Sequence, residues 1–159
     1  MNIDILCVGK IKEKYLKDAI DEYSKRLTRY CKLNIIEVSD EKTVDKQSSA
    51  LDEQVKIKEG ERLLKYIKDD SYVIVLEIGG KMYDSVDFSK VIDNLGVQSY
   101  SDIQFIIGGS LGLSDEVVKK GDLSVSFSKM TFPHQLMRVI LLEQIYRAYR
   151  IINNEPYHK

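Results

Sequence analysis

The sequence predicts an α/β fold in which a mainly parallel β-sheet is flanked by helices. Apolar runs typical of strands alternate along the 159 residues with segments whose apolar residues recur every three or four positions, as in amphipathic helices. The run at residues 71–78 is rich in β-branched side chains, which indicates a strand buried on both faces of a parallel sheet. No linker divides the chain, so we expect residues 1–159 to form one domain.

The first half of the chain begins as a β-α-β unit. A strand is predicted at residues 3–8, a helix at 11–30 and a second strand at 33–38. Residues 39–49 are polar and charged, which predicts a mobile loop near a site. A second helix, weakly amphipathic at its start, is predicted at 50–68.

The second half continues this alternation. The third strand, residues 71–78, runs into Gly79 and Gly80, which predict a turn at its end. Two short helices are predicted next. Each begins at residues that favour a helix start, ends before a glycine, and is followed by an apolar run. The elements predicted after the third strand are a helix at 84–95, a strand at 103–107, a helix at 114–120 and a strand at 123–127.

The last predicted helix, residues 135–152, follows Pro133 and runs for about five turns. Its apolar side chains spread over most of its circumference, so it must be covered on more than one side. In a chain of this size one cover is the sheet, and we expect the other to be a second subunit. The sequence thus predicts a homodimer.

Composition excludes several classes of protein. No apolar stretch approaches the roughly 20 residues that span a bilayer, and the first residues do not form a signal peptide, so we expect a cytoplasmic protein. Two cysteines and two histidines supply neither a disulfide framework nor a set of metal ligands. The net charge is only −1, yet residues 10–32 carry eight basic and four acidic side chains. This segment can face a polyanion, although an ordinary solvated helix face explains the same charges.

Three strand ends carry glycine-rich or hydroxyl-rich loops, at residues 79–81, 108–112 and 128–131. The carboxyl ends of parallel strands meet at one edge of a sheet, where such folds bind ligands, so these loops predict a nucleotide-sized crevice. The GGSLG segment lacks the glycine order of a dinucleotide site, and neither glycine pair has the spacing of a phosphate-binding Walker loop. Ser128 lacks the setting of a nucleophile elbow, and His134 is better explained as orienting the last helix.

Three sequence blocks and the C-terminal ending carry a family resemblance. They read LEIGGK at 76–81, FIIGGSLG at 105–112, LSVSFSKMTFPH at 123–134, and PYHK at the end. Together they closely resemble the RlmH family of large-subunit ribosomal RNA pseudouridine methyltransferases, over essentially the whole chain. The resemblance implies a SPOUT-type fold with a C-terminal trefoil knot, through which two subunits dimerise. Knots are almost absent from known folds, so no pattern argument predicts one.

The resemblance also implies S-adenosylmethionine as methyl donor, bound in a bent shape by the knot loops. Apolar side chains would flank the adenine while backbone groups bind its edge and the ribose. The implied substrate is a pseudouridine of 23S ribosomal RNA, methylated at N3 within the assembled ribosome. By motif position, the cofactor contacts would be Leu76, Gly108, Phe127, Ser128, Lys129, Met130, Thr131 and Phe132.

Catalytic residues are expected near the C-terminus. In a dimer, the last helix and tail of one chain would approach the cofactor of the other, with Arg138, His158 and Lys159 gripping phosphate or base. His158 is the candidate for handling the N3 proton, and a disordered tail is the alternative. The general base stays unassigned. Two other functions remain open: a non-catalytic ribosome-binding factor, and a transfer RNA methyltransferase of the same fold.

Overall fold

A computed structural model describes residues 1–159 as five strands and five helices in alternation. The strands are β1 (Asn2–Val8), β2 (Lys32–Val38), β3 (Tyr72–Met82), β4 (Asp102–Ile107) and β5 (Leu123–Ser126). The helices are α1 (Lys14–Leu27), α2 (Ser49–Leu64), α3 (Ser85–Val97), α4 (Asp115–Lys120) and α5 (His134–Ile152).

All five strands are parallel and lie in the order β2-β1-β4-β3-β5. The predicted α/β architecture is confirmed, and the sheet is parallel throughout. Successive side chains of a strand point to opposite faces. Ile3 and Ile5 therefore join the core formed with α1, α3 and α5, whereas Leu6 and Val8 join the core formed with α2 and α4.

Three helices begin at a side-chain cap that the sequence supplies. Ser48, Asp84 and Ser114 each accept a hydrogen bond from the backbone N–H three residues further on. Such a cap satisfies one of the amide groups that a helix start leaves without a partner. These caps fix where α2, α3 and α4 begin.

β3 is longer than predicted and contains the glycine pair. Leu76 and Lys81 both pair with Val125, so the residues between them bulge out of register with β5. A Cβ atom on Gly80 would lie 2.7 Å from backbone atoms of Val125. The prediction of a turn at residues 79–81 is therefore wrong: Gly80 lets the bulge pack against the neighbouring strand.

The first helix also differs from its prediction. α1 begins at Lys14, and Ile11 is buried in the turn before it, where its N–H donates to Glu37 at 3.2 Å. Tyr15, four residues after Ile11, would continue an apolar face of the predicted helix, but it is 71% exposed. The buried face of α1 instead runs through Leu16 and Ile20.

The chain takes an unusual path after β5. β5 lies at the sheet edge beside β3, whereas α5 packs between α1 and α3 and begins beside the end of β1, where Arg138 meets the Val8 carbonyl. Residues 127–133 therefore pass the ends of β3 and β4. At the same place, residues 108–114 leave β4 for α4, which lies on the face of the sheet opposite to α5. The path is consistent with the trefoil knot implied by the family resemblance, and the knot itself stays a prediction.

None of the helices combines the length and apolar character needed to cross a membrane. No group of three or more His, Cys, Asp or Glu side chains is placed to hold a metal ion. Cys7 and Cys31 are buried and free, and burial raises the pKa of Cys7 to about 12 and that of Cys31 to about 11. Both side chains are therefore neutral thiols near pH 7.

Candidate functional site

The carboxyl edge of the sheet holds a crevice of about 910 Å³. Its walls come from four places in the chain, namely residues 76–78 of β3, 107–113 after β4, 125–128 at the end of β5, and 130–137 leading into α5 with the exception of residue 136. A crevice of this volume lies in the range typical of small-molecule and cofactor sites. Residues of all three predicted strand ends thus meet at one place, but residues 79–81, which were predicted as a loop, do not line the crevice.

Seven of the eight residues expected to contact the cofactor line this crevice. The exception is Lys129, which is exposed at the surface. Met130 lines the crevice although it is 74% exposed, so a bound ligand would cover apolar surface that water now touches. The seven lining residues are Leu76, Gly108, Phe127, Ser128, Met130, Thr131 and Phe132.

The loop after β4 is closed on itself through glycines. The N–H of Gly112 donates to the carbonyl of Gly109 at 3.1 Å, and Gly112 has a φ of +89°, which favours glycine. A Cβ atom on Gly108 would lie 2.7 Å from the carbonyl carbon of Gly112. Glycine at 108 therefore permits the loop to close and leaves its backbone facing the crevice.

The turn after β5 is held by serine hydroxyls. Ser126 donates to the carbonyl of Ser128 at 3.0 Å, and the Ser128 hydroxyl accepts from the N–H of Met130 at 2.9 Å. Such side-chain bonds to nearby backbone replace the bonds that a strand or helix would supply. They shape the turn from which Phe127 and Phe132 reach the crevice.

Arg138 is not placed to grip RNA. It is only 1% exposed, and its guanidinium donates to Glu37 at 2.6 Å and to the carbonyls of Val8 and Gly9 at 3.0 and 2.6 Å. The expectation that it binds phosphate or base is therefore corrected: Arg138 fastens α5 to the ends of β1 and β2. Glu37, the partner of Arg138, was not predicted, because no residue near Glu37 in the sequence indicates this contact.

His134 begins α5 and lines the crevice at the side nearest Gly9 and Asp40. Its Nδ1 atom is buried and has no hydrogen-bond partner. Burial, together with the positive charge of Arg138, lowers the pKa of His134 below its usual 6.5. The imidazole is therefore neutral near pH 7, which fits a residue that orients the helix.

Glu59 was also missed by sequence reasoning. It is only 4% exposed, accepts from the N–H of Glu41 at 3.0 Å, and lies against Gly109 in the loop after β4. Burial is the main cause that raises its pKa. Glu59 thus joins the segment after β2 to the wall of the crevice. A glutamate among the polar residues of α2 gives no sequence signal of burial.

The C-terminal tail folds back onto its own chain. Tyr157 donates to Glu143 at 3.0 Å and packs edge-on against Tyr146 at 5.0 Å between ring centroids. Arg147 lies over the Tyr157 ring at 4.7 Å, and its Nη1 atom is 3.1 Å from Nδ1 of His158. The tail is ordered against α5, so the alternative of a disordered tail is not what the structure shows.

A second crevice, of about 510 Å³, lies beside the first. It is lined by the start of α3, by Ile140 and Gln144 of α5, and by His158 of the tail. Both crevices share a wall formed by Val125, Ser126, Phe127 and Phe132. Groups bound in the two crevices would therefore lie next to each other, along these four residues.

Comparison with known proteins agrees with this architecture. Residues 1–158 match the family model described as "Predicted SPOUT methyltransferase". The chain is 61% identical to a protein of Clostridium kluyveri, 63% to one of Clostridium botulinum (strain Alaska E43 / Type E3) and 60% to one of Clostridium acetobutylicum. Each similarity covers 100% of both chains, and each relative is named "Ribosomal RNA large subunit methyltransferase H".

A solved structure gives independent support for the fold. The structure of a probable methylase family protein from Haemophilus influenzae Rd KW20 covers 99% of this chain, and 70% of that chain is covered in return. The TM-score is 0.56 at 16% sequence identity, which supports the fold alone. With the full-length family match and relatives at about 60% identity, the chain belongs to the RlmH family of SPOUT methyltransferases.

Proposed function

We propose that this protein is an S-adenosylmethionine-dependent methyltransferase of large-subunit ribosomal RNA. The observation that carries the proposal is the crevice at the carboxyl edge, which gathers seven of the eight residues expected to contact the cofactor. The names of the full-length relatives point to the class of RNA. A protein acting on ribosomes would work in the cytoplasm.

The residues of the first crevice fit S-adenosylmethionine. Leu76, Met130 and Phe132 offer apolar surface to an adenine ring. Gly108 and Gly112 both line the crevice and carry no side chain, so the loop after β4 presents backbone there. Backbone N–H and carbonyl groups are the polar partners that an adenine edge and a ribose need.

The finer proposal is transfer to N3 of a pseudouridine. When bound, the cofactor supplies an electrophilic methyl group: its S–CH₃ bond breaks, an N–CH₃ bond forms at N3, and N3 gives up its proton. The protein's own contribution is to hold the two reactants next to each other, along the residues that both crevices share. Phe127 and Phe132 are among these residues and offer apolar surface to both crevices.

His158 lies where it can help with the charge of the base. A guanidinium only donates hydrogen bonds, so Nδ1 of His158 is the acceptor for Arg147, and Nε2 is left to donate. An N–H donor in the second crevice would stabilise negative charge on a carbonyl oxygen of the base as N3 loses its proton. We assign this role to His158 and leave the general base unassigned.

Exposed lysines near the first crevice offer contacts for RNA phosphates. Lys10 and Lys12 follow β1 at the same sheet edge, are exposed, and take part in no ion pair. Further along α1, Lys14 pairs with Asp18 and Arg26 with Glu22, which compensates part of the charge of this segment. Phosphate contacts from Lys10 and Lys12 would position the RNA without reading its sequence.

A homodimer is part of the proposal. Leu136 of α5 is exposed, and so are Ile78 and Met130 at the rim of the first crevice. A second subunit that covers these residues would remove apolar surface from water and bring a second tail near the crevice. Sedimentation velocity is expected to give the mass of two chains, and sedimentation as a single chain would contradict this part.

The function is tested with methyl-labelled S-adenosylmethionine and three RNA substrates. Ribosomes that lack the modification are expected to receive label, at N3 of one pseudouridine in 23S RNA. Label on free 23S RNA would show that methylation does not require the assembled ribosome. Label on transfer RNA would instead support the alternative of a transfer RNA methyltransferase. A protein that binds ribosomes yet transfers no label to any of the three would be a binding factor.

Deleting residues 157–159 is expected to impair methyl transfer more than cofactor binding. The deletion removes His158 from the second crevice, whereas none of the three residues lines the first. We expect kcat to fall at least about tenfold, as for loss of a group that acts on the transition state, while Kd for S-adenosylmethionine changes little. Tyr157→Phe, which removes only the bond to Glu143, is the control. Equal loss of both properties would refute a substrate role for the tail.

A further inference from the structure

The second crevice has the features of a site for a nucleobase. Its shared wall presents Phe127 and Phe132, and Tyr83 lines it near the start of α3. Flipped or unpaired RNA bases stack on aromatic side chains. Lys81 holds its ammonium group 4.8 Å from the centroid of the Tyr83 ring, which places a positive charge close to this crevice for a phosphate.

One polar side chain in this crevice is held in a fixed orientation. The amide oxygen of Gln144 accepts from the Ser85 hydroxyl at 2.7 Å, and its amide nitrogen donates to Glu143 at 2.8 Å. A primary amide has two N–H donors and two acceptor lone pairs, so one of each remains available. The side chain therefore keeps one N–H donor and one acceptor lone pair free.

This donor and acceptor match an edge that pseudouridine has and uridine lacks. In pseudouridine the ribose is attached to carbon, so the ring keeps an N1–H next to the C2 carbonyl. In uridine N1 carries the ribose and has no hydrogen to donate. A carboxamide can pair with the N1–H and C2 carbonyl together, and N3, on the other side of C2, is then left free.

We propose that Gln144 is a specificity-determining residue that recognises the N1–H and C2 carbonyl of pseudouridine, with Ser85 and Glu143 holding its amide. The inference rests on the proposed function and deepens it. Because the two crevices share lining residues, a base in the second would lie next to the first, with its free N3 available to the methyl donor. Uridine would leave the oxygen of Gln144 without a partner, which is the usual source of discrimination against an analogue.

The test compares kcat/KM on ribosomes that carry pseudouridine at the target position with kcat/KM on ribosomes that carry uridine there. For Gln144→Leu we expect the ratio of the two values to fall about tenfold, the size expected for one lost hydrogen bond to a buried partner. Activity on uridine should fall less, because only the bond to the C2 carbonyl is shared by both bases. Ser85→Ala, which frees the amide to rotate, is expected to lower the ratio by a smaller factor.

Controls separate this role from a structural one. Gln98→Leu makes the same change at an exposed site at the end of α3, and it is expected to leave the ratio as in the wild type. Kd for S-adenosylmethionine should change little in Gln144→Leu, because Gln144 does not line the first crevice. If Gln144→Leu lost activity by the same factor on both ribosomes, the ratio would be unchanged. That result would overturn the inference while leaving the proposed function intact. Absence of transfer by the wild type would instead overturn the proposed function, and this inference with it.

Discussion

Gly108→Ala is expected to weaken S-adenosylmethionine binding by about 10- to 100-fold. Even a methyl group at this position would lie 2.7 Å from the backbone of Gly112, so the loop after β4 must open to admit it. Forcing extra atoms into a closed structure costs about 1–3 kcal/mol, which corresponds to this loss of affinity. Isothermal titration calorimetry measures it directly. Arginine at 108 would also fill the crevice, so alanine isolates the contact with the loop.

Two other glycines serve as controls for Gly108. A Cβ atom on Gly79, beside the crevice wall at residue 78, would meet no atom within 4 Å, so Gly79→Ala is expected to bind as the wild type does. Gly112→Ala would also meet no atom, but its φ of +89° makes alanine strained there. Comparing the three variants separates backbone strain from the close contact. Wild-type affinity in Gly108→Ala would show that the loop does not shape the site.

Arg138→Met is expected to lower the free energy of unfolding by about 3–5 kcal/mol. The change leaves Glu37 without its cation and the carbonyls of Val8 and Gly9 without a donor. Each buried carbonyl left without a donor costs about 1–3 kcal/mol, and the ion pair adds less because the Glu37 side chain is 33% exposed. For a chain of this length the corresponding fall in Tm is roughly 6–20 °C, and calorimetric unfolding measures it.

Arg138→Lys distinguishes the fastening role from contact with RNA. A lysine keeps the charge that a phosphate contact needs, but it lacks the planar fork that reaches Glu37 and two carbonyls together. We therefore expect Arg138→Lys to be destabilised as well. A Tm equal to that of the wild type in both single variants would contradict the fastening role.

The alternation of strands and helices could be predicted because periodicity reflects burial. The β-branched run at 71–78 and the apolar run at 103–107 became the central strands β3 and β4, which are buried on both faces. The end of β3 could not be predicted, because a glycine in a bulge and a glycine in a turn look alike in sequence. Gly80 is required by the backbone of β5, which lies far along the chain.

The residues of the candidate site were predicted unevenly. The crevice was predictable because loops after parallel strands meet at one edge of a sheet. The burial of Arg138 and Glu59 was not, since charged side chains are normally exposed. Arg138 lies between the apolar neighbours Met137 and Val139, and this was the one local sign of burial. The contacts of both residues are with segments distant in sequence.

The closure of α5 onto β1 also affects how the chain folds. Arg138 bonds to Val8 across 130 residues, and two of the four pairs of adjacent strands, β1–β4 and β3–β5, are not consecutive in the chain. Such high contact order slows folding, because distant segments must meet before their contacts stabilise anything. The larger core takes five of its 21 buried residues from α5. A nascent chain therefore cannot complete this core until its last helix has left the ribosome that makes it.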